Sequence, residues 1–228
     1  MKGPERTDNG RRRGTMRDAI AELILRMRKG APSGIRRAYR LARHLTTPVR
    51  PSPPIPPELV RDCRVAASRL DLLAALPKGG RVVEIGTDRG DFARAILDEV
   101  GPEELHLLDL DFSQLRQDVA RDPRVILHQG DSVAQVAALP DAAFDWIYVD
   151  ADHSYEGVCR DAAAAAPKVK PGGLLVFNDF AHVDPGFGTY GVHRALTEFA
   201  VARRWPVAWF AFEVHGLYDI ALRRPASG

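Results

Sequence analysis

The sequence predicts an α/β protein built on an open, doubly wound sheet. Seven strands are expected, mostly parallel with one antiparallel strand late in the chain, after an N-terminal helical extension. Three observations carry this. From residue 81 to residue 203, short apolar runs of strand length alternate with amphipathic segments of helix length. That alternation calls for crossover helices, and so for parallel strands covered on both faces. The last two apolar runs, 207–212 and 217–222, lie too close together for a helical crossover, so one of them must run antiparallel. Finally, charge divides the chain. Residues 1–50 carry 14 Lys and Arg against 4 Asp and Glu, whereas residues 51–228 carry 18 against 26.

Residues 1–14 are polar and rich in Arg and Gly, and are expected to be disordered. Met16, Ile20, Leu23, Ile24 and Met27 recur at helical spacing, and after a Gly30–Gly34 break the pattern returns at Ile35, Ala38, Tyr39, Ala42 and Leu45. Six prolines between Pro48 and Pro57 predict an extended, semi-rigid linker. The boundary therefore falls between a basic extension, 1–57, and a folded body, 58–228. The body opens with one expected helix over 58–76, ended by Pro77 and Gly79-Gly80. Strands are then predicted at 81–85, 105–110, 125–128, 144–150, 173–179, 207–212 and 217–222. Helices are predicted at 91–100, 112–120, 132–139, 155–166 and 192–203.

Composition excludes several classes. Two cysteines, Cys63 and Cys159, are too few for a disulfide scaffold and suggest a reducing compartment. No run approaches the roughly 18 apolar residues of a membrane span. Arg11-Arg12-Arg13 superficially suggests a targeting signal, but Asp18 and Glu22 interrupt any apolar core behind it. A cytoplasmic protein is the expectation.

In open α/β sheets, ligands bind beyond the carboxyl ends of the strands, at the switch in strand order. Here those ends are acidic: Glu84, Asp109, Asp131, Asp150 and Asn178-Asp179. The first strand runs into Gly86-Thr87-Asp88-Arg89-Gly90. Two glycines let backbone approach a ligand closely. The spacing is not that of the dinucleotide binders, and Glu84, Asp88 and Asp91 would repel a pyrophosphate. The loop suits a cationic or neutral nucleoside, or it is an ordinary strand–helix turn. Asp109 can accept from both hydroxyls of a ribose, whereas Asp111 is placed to cap the helix expected to start near Phe112. Asp131 and Ser132, after Gly130, either read an adenine amine or serve as helix caps.

The order Glu84-x-Gly86-x-x-x-Gly90, then Asp109, then Gly130-Asp131-Ser132, resembles the class I S-adenosylmethionine-dependent methyltransferases over about residues 58–228. The resemblance implies a Rossmann-like fold. It also implies a glycine loop, Gly86, Thr87 and Gly90 with Glu84, around the amino-acid part of S-adenosylmethionine, ribose on Asp109, and adenine at Asp131 and Ser132. A second segment, Tyr148-Val149-Asp150-Ala151-Asp152-His153 followed by Asn178-Asp179, is similar to the metal-dependent O-methyltransferase branch, with its catechol-type and antibiotic-sugar enzymes. That similarity implies Asp150, Asn178 and Asp179 as ligands of a divalent cation. Oxygen donors suit Mg²⁺, and a cation would relieve the repulsion between two clustered carboxylates. The competing reading is that the two acids cap loops and pair with arginines.

His153, three residues past Asp150, is the candidate general base, its imidazole being suited to proton transfer near neutrality. Asp150 shares the catalytic role. His182 and His193 either face the same cleft or are incidental. The expected reaction is methyl transfer to a small-molecule hydroxyl. The basic extension is expected to dock on the acidic body or form a homodimer contact, with membrane-surface contact ranked second. Nucleic acid is not expected as a partner, because base-stacking aromatics are not interleaved among the arginines. The rival readings are a macromolecule methyltransferase that uses the basic arm, and a non-catalytic cofactor-binding protein.

Overall fold

A computed structural model describes residues 49–184, 188–213 and 216–226. The two basic helices expected before the proline run, with their docking or dimer role, lie outside the described residues. In chain order the body contains α1 (Pro57–Val60), β1 (Arg64–Ala66), α2 (Arg69–Ala75), β2 (Arg81–Ile85), α3 (Asp91–Glu99), β3 (Glu104–Asp109), α4 (Gln117–Ala120), β4 (Val125–Gln129), α5 (Ser132–Ala138) and β5 (Phe144–Val149). It continues with α6 (Tyr155–Ala165), β6 (Val169–Phe177), the two-residue strands β7 (Val183–Asp184) and β8 (Gly188–Thr189), α7 (Val192–Arg203), β9 (Val207–Phe212) and β10 (Tyr218–Arg223).

The main sheet runs β1-β9-β10-β6-β5-β2-β3-β4. β10 is antiparallel to both β6 and β9, and the remaining pairs are parallel. Chain order moves outward from β2 in both directions, through β3 to β4 on one side and from β5 to β6 on the other. The crossover switch therefore falls between β2 and β5, whose registers put Glu84 beside Tyr148 and Ile85 beside Val149.

Side-chain alternation splits the core into two layers. Val82, Trp146, Tyr148, Leu107 and Val176 pack with α2 and α3 on one face. Val83, Ile85, Ile147, Val149 and Phe177 pack with α5, α6 and α7 on the other. Because both faces are covered, the central strands read as continuous apolar runs rather than alternating ones. Among the described residues no helix is long and apolar enough to cross a membrane.

The sheet has eight strands, not seven, because the helix expected over 58–76 is broken. Residues 64–66 pair parallel with β9, Arg64 opposite Trp209 and Ala66 opposite Ala211. Ser68, with extended backbone, then starts a new helix by accepting from the Asp71 N–H at 3.1 Å. The backbone groups of 64–66 gain a ladder on β9 that an isolated helix would not give them. The helix expected over 112–120 is also shorter: Asp111 accepts from the Ser113 N–H at 2.9 Å, Arg116 is extended, and only Gln117–Ala120 is helical.

Candidate active site

The predicted loop at the end of β2 sits at the switch point. Gly86 has φ +89°, and its N–H donates to the Leu108 carbonyl at 2.8 Å. A Cβ on Gly86 would fall inside the carbonyl oxygen of Asp150, at the end of β5. The two strand ends thus touch backbone to backbone, which only glycine permits here. Gly90, at φ +80°, is the residue before α3, and its N–H closes the loop on the Thr87 carbonyl.

Asp109 ends β3 and ties this loop down. Its Oδ2 accepts from the N–H groups of Thr87 (3.0 Å) and Asp88 (2.9 Å), and its Oδ1 accepts from that of Asp111. Of about four acceptor sites on a carboxylate, three are therefore engaged by backbone. Asp131 caps α5, accepting from Ala134 N–H, and Ser132 donates to Asp161 at 2.7 Å. Both were candidate adenine contacts, and both hold local partners.

Glu84 is the exception to this pattern of satisfied groups. It is 1% exposed, and its Oε2 has no hydrogen-bond partner; the buried Thr87 Oγ1 beside it has none either. Burial pushes the Glu84 carboxyl well above the usual range, and the nearby Asp150 pushes it further. A buried acceptor left open costs free energy, which makes Glu84 a candidate ligand-binding group.

Asp150, Asp179 and His153 meet at the rim. His153 Nε2 lies 3.5 Å from Asp150 Oδ1 and 3.4 Å from Asp179 Oδ2. Neither contact is a hydrogen bond, and Nε2 is buried without one. The imidazole stacks on Tyr190, centroids 4.7 Å apart. Burial raises the Asp150 carboxyl, while His153 and Arg69 pull it down.

The trio predicted to hold Mg²⁺ is Asp150, Asn178 and Asp179, and one of its members has a partner outside the set. Asn178 is buried, and its amide nitrogen donates to Asp219 Oδ1 at 3.1 Å. Asp219 is fully buried and also accepts from the Tyr148 hydroxyl at 2.7 Å. Among the described residues no group of three or more His, Cys, Asp or Glu could hold a metal ion. That bond uses the Asn178 amide nitrogen, whereas a cation would take its Oδ1.

Burial raises the Asp219 carboxyl from 3.8 to about 6, against the pull of Arg69 and the hydrogen bonds from Tyr148 and Asn178. The folded carboxyl then binds its proton more tightly than the unfolded one. Its contribution to stability is full below pH 4 and is lost as pH rises through 6, amounting to about 3 kcal/mol for two pH units. Asp219→Asn should flatten the stability curve over that window. Urea unfolding of both proteins at pH 4, 5, 6 and 7 checks it; equal slopes would refute the assignment.

His182 and His193 do face a cleft. A cavity of about 380 Å³ is lined by Phe180, Ala181, His182, His193, Phe210, Gly216 and Tyr218. That is within the size range of small-molecule sites. Phe180 stacks on His193 at 4.5 Å, and Ser52, from the proline-rich run, bonds His193 Nδ1 at 2.6 Å. Burial lowers the His193 imidazole below its usual value. The cavity adjoins the acid cluster: Phe180 follows Asp179, and the Tyr190 N–H bonds the His182 carbonyl.

Known proteins resemble this chain in part of its sequence and in its fold. Residues 83–180, less than half of the chain, match the family model described as a methyltransferase domain. A spermidine synthase from Coffea arabica is 30% identical over 119 residues, covering 45% of this chain; the match spans 37% of that protein's length. The fold is shared with the N-methyltransferase NodS from Bradyrhizobium japonicum, at TM-score 0.51 and 15% identity over 69% of this chain and 93% of that one. It is shared also with an O-methyltransferase family protein from Burkholderia thailandensis, at TM-score 0.53 and 14% identity over 70% and 56%. With this sheet order and the glycine loop at its switch point, the body shares the fold of these methyltransferases, and residues 83–180 resemble a methyltransferase domain.

Proposed function

We propose that the protein transfers a methyl group from S-adenosylmethionine to a hydroxyl of a small molecule seated beside His153. What supports this most is a pair of buried, unpartnered groups flanking the switch point: Glu84 Oε2 at the glycine loop, and His153 Nε2 between two carboxylates. S-adenosylmethionine, when bound, supplies a methyl group on a cationic sulfur. Glu84 takes the cationic amino-acid end, and the loop Gly86, Thr87 and Gly90 lies against it. Asp109 has one acceptor site left for a ribose hydroxyl, and Asp131 and Ser132 flank the adenine position. The acidic rim tolerates a cationic ligand and disfavours a phosphate.

His153 removes the acceptor proton at Nε2. The imidazolium so formed lies between Asp150 and Asp179, which stabilise it. Tyr190 keeps the ring from rotating away. The cavity at Phe180, Phe210 and Tyr218 holds the acceptor body, and alignment of oxygen with the methyl group supplies much of the acceleration.

Calorimetry with S-adenosylhomocysteine tests the cofactor reading, and no binding would end it. Tritiated S-adenosylmethionine incubated with a metabolite extract then yields a labelled product. An O–CH₃ carbon in its NMR spectrum is expected, still formed in EDTA; an N–CH₃ product would refute the hydroxyl assignment. With that product's parent as acceptor, His153→Ala should lower kcat by about 10²- to 10⁴-fold, the usual contribution of a general base. Its affinity for S-adenosylhomocysteine should stay unchanged.

A further inference from the structure

The acceptor cavity is walled by rings and carries no fixed charge. Phe180, Phe210 and Tyr218 line it, with centroids 6.4 Å apart for the first pair and 4.8 Å for the second. No Asp, Glu, Lys or Arg is among the described residues that line it. Its other polar side chains are two imidazoles, His182 and His193, 4.1 Å apart between centroids. His193 is the one held by its surroundings. Phe180 stacks on the ring at 4.5 Å, and Ser52 Oγ lies 2.6 Å from Nδ1. Ser52 is half-buried and sits in the proline-rich run, whose stiff backbone keeps the hydroxyl in place at little entropic cost. Burial, reinforced by His182, holds the His193 imidazole below its ordinary value, so the ring is neutral near pH 7. Its second nitrogen, Nε2, has no hydrogen-bond partner among the described residues. Such a cavity penalises a charged acceptor, which would be desolvated with no counter-charge, and a sugar, whose many hydroxyls would meet few partners. It favours a flat ring with one polar atom placed at His193.

We infer that the acceptor is an uncharged aromatic ring bearing a carbonyl, and that His193 selects it: Ser52 donates to Nδ1, which leaves the imidazole hydrogen on Nε2 to meet the carbonyl oxygen. The inference rests on the methyl-transfer reading above and names its acceptor class. His193 is then a specificity-determining residue, and Ser52 a positioning residue that acts through the tautomer of its partner.

The test uses the full chain saturated with S-adenosylhomocysteine and two probes that differ by one carbonyl oxygen, 4-hydroxyacetophenone and 4-ethylphenol. Chemical-shift titration of isotope-labelled histidine rings reads affinity and place together. The ketone should bind more tightly by about 3- to 10-fold, as one neutral hydrogen bond allows. It should move the His193 signal, identified as the one missing from His193→Phe. That variant should keep its affinity for 4-ethylphenol and bring the ratio close to one. Nitrogen spectra should show the His193 hydrogen on Nε2. Ser52→Ala should mix the two tautomers and shrink the ratio, and Ser52→Thr should restore both. Failure of both phenols to bind, a wild-type ratio of one or less, or a ratio unchanged in His193→Phe would overturn the inference. So would a hydrogen found on Nδ1, a tautomer indifferent to Ser52→Ala, or tighter binding of methyl glucoside than of either phenol. All of these leave methyl transfer standing. Failure to bind S-adenosylhomocysteine would instead end the functional reading, and this inference with it.

Discussion

Gly86→Ala is expected to destabilise the fold by about 3–5 kcal/mol and to abolish cofactor binding. The backbone conformation at φ +89° costs an L-residue about 1–3 kcal/mol. The added methyl would also overlap the Asp150 carbonyl oxygen, so β2 and β5 must part at their ends. Parting them strains the bonds from Gly86 N–H to Leu108 and from Asp150 N–H to Ile85, each 2.8 Å and each worth about 1 kcal/mol. Backbone gives way less easily than a side chain. At Gly90 the added methyl would meet the movable end of Leu115, so that position is the milder control. Urea unfolding measures both variants; a Gly86→Ala loss below 1 kcal/mol would show that the strand ends can separate freely.

Glu84→Gln should move stability and binding in opposite directions. Removing the ionisable group relieves the desolvation of a carboxyl at 1% exposure whose Oε2 has no partner, a gain of about 1–3 kcal/mol at pH 7. The same change removes the carboxyl that would ionise against a cationic ligand, and affinity for S-adenosylmethionine should fall by about 10- to 100-fold. Such a trade is expected where a site holds strain for function. Thermal melting and calorimetry decide it together. A less stable variant with unchanged affinity would make Glu84 a structural residue and remove the main support for the cofactor site.

Much of the sheet was legible because its signals are local. Helix 192–203 and strands 81–85 and 207–212 were read to the residue, since apolar period and glycine boundaries act within a few residues. Strand β1 was not legible. Residues 64–66 are extended because β9 lies alongside, some 145 positions later in the chain, and a three-residue run carries no periodicity of its own. That one of the last two strands runs antiparallel was inferable from their short connection; that it is β10 was not.

For the site, sequence order alone determined which residues gather at the switch point: Glu84, Gly86, Asp109 and Asp150 each end or follow a parallel strand, and parallel strands end on one rim. What those side chains do there was decided by tertiary structure. Asp150 and Asp179 converge on His153, while Asn178, adjacent to Asp179 in the chain, turns to Asp219 on the antiparallel strand. Arg69 reaches the same rim from a helix that precedes the motif. A strand's direction fixes where its last residue lies, but the face and partner of that residue depend on neighbours brought in from elsewhere in the chain. Burial and hydrogen bonding with those neighbours set each group's charge and availability.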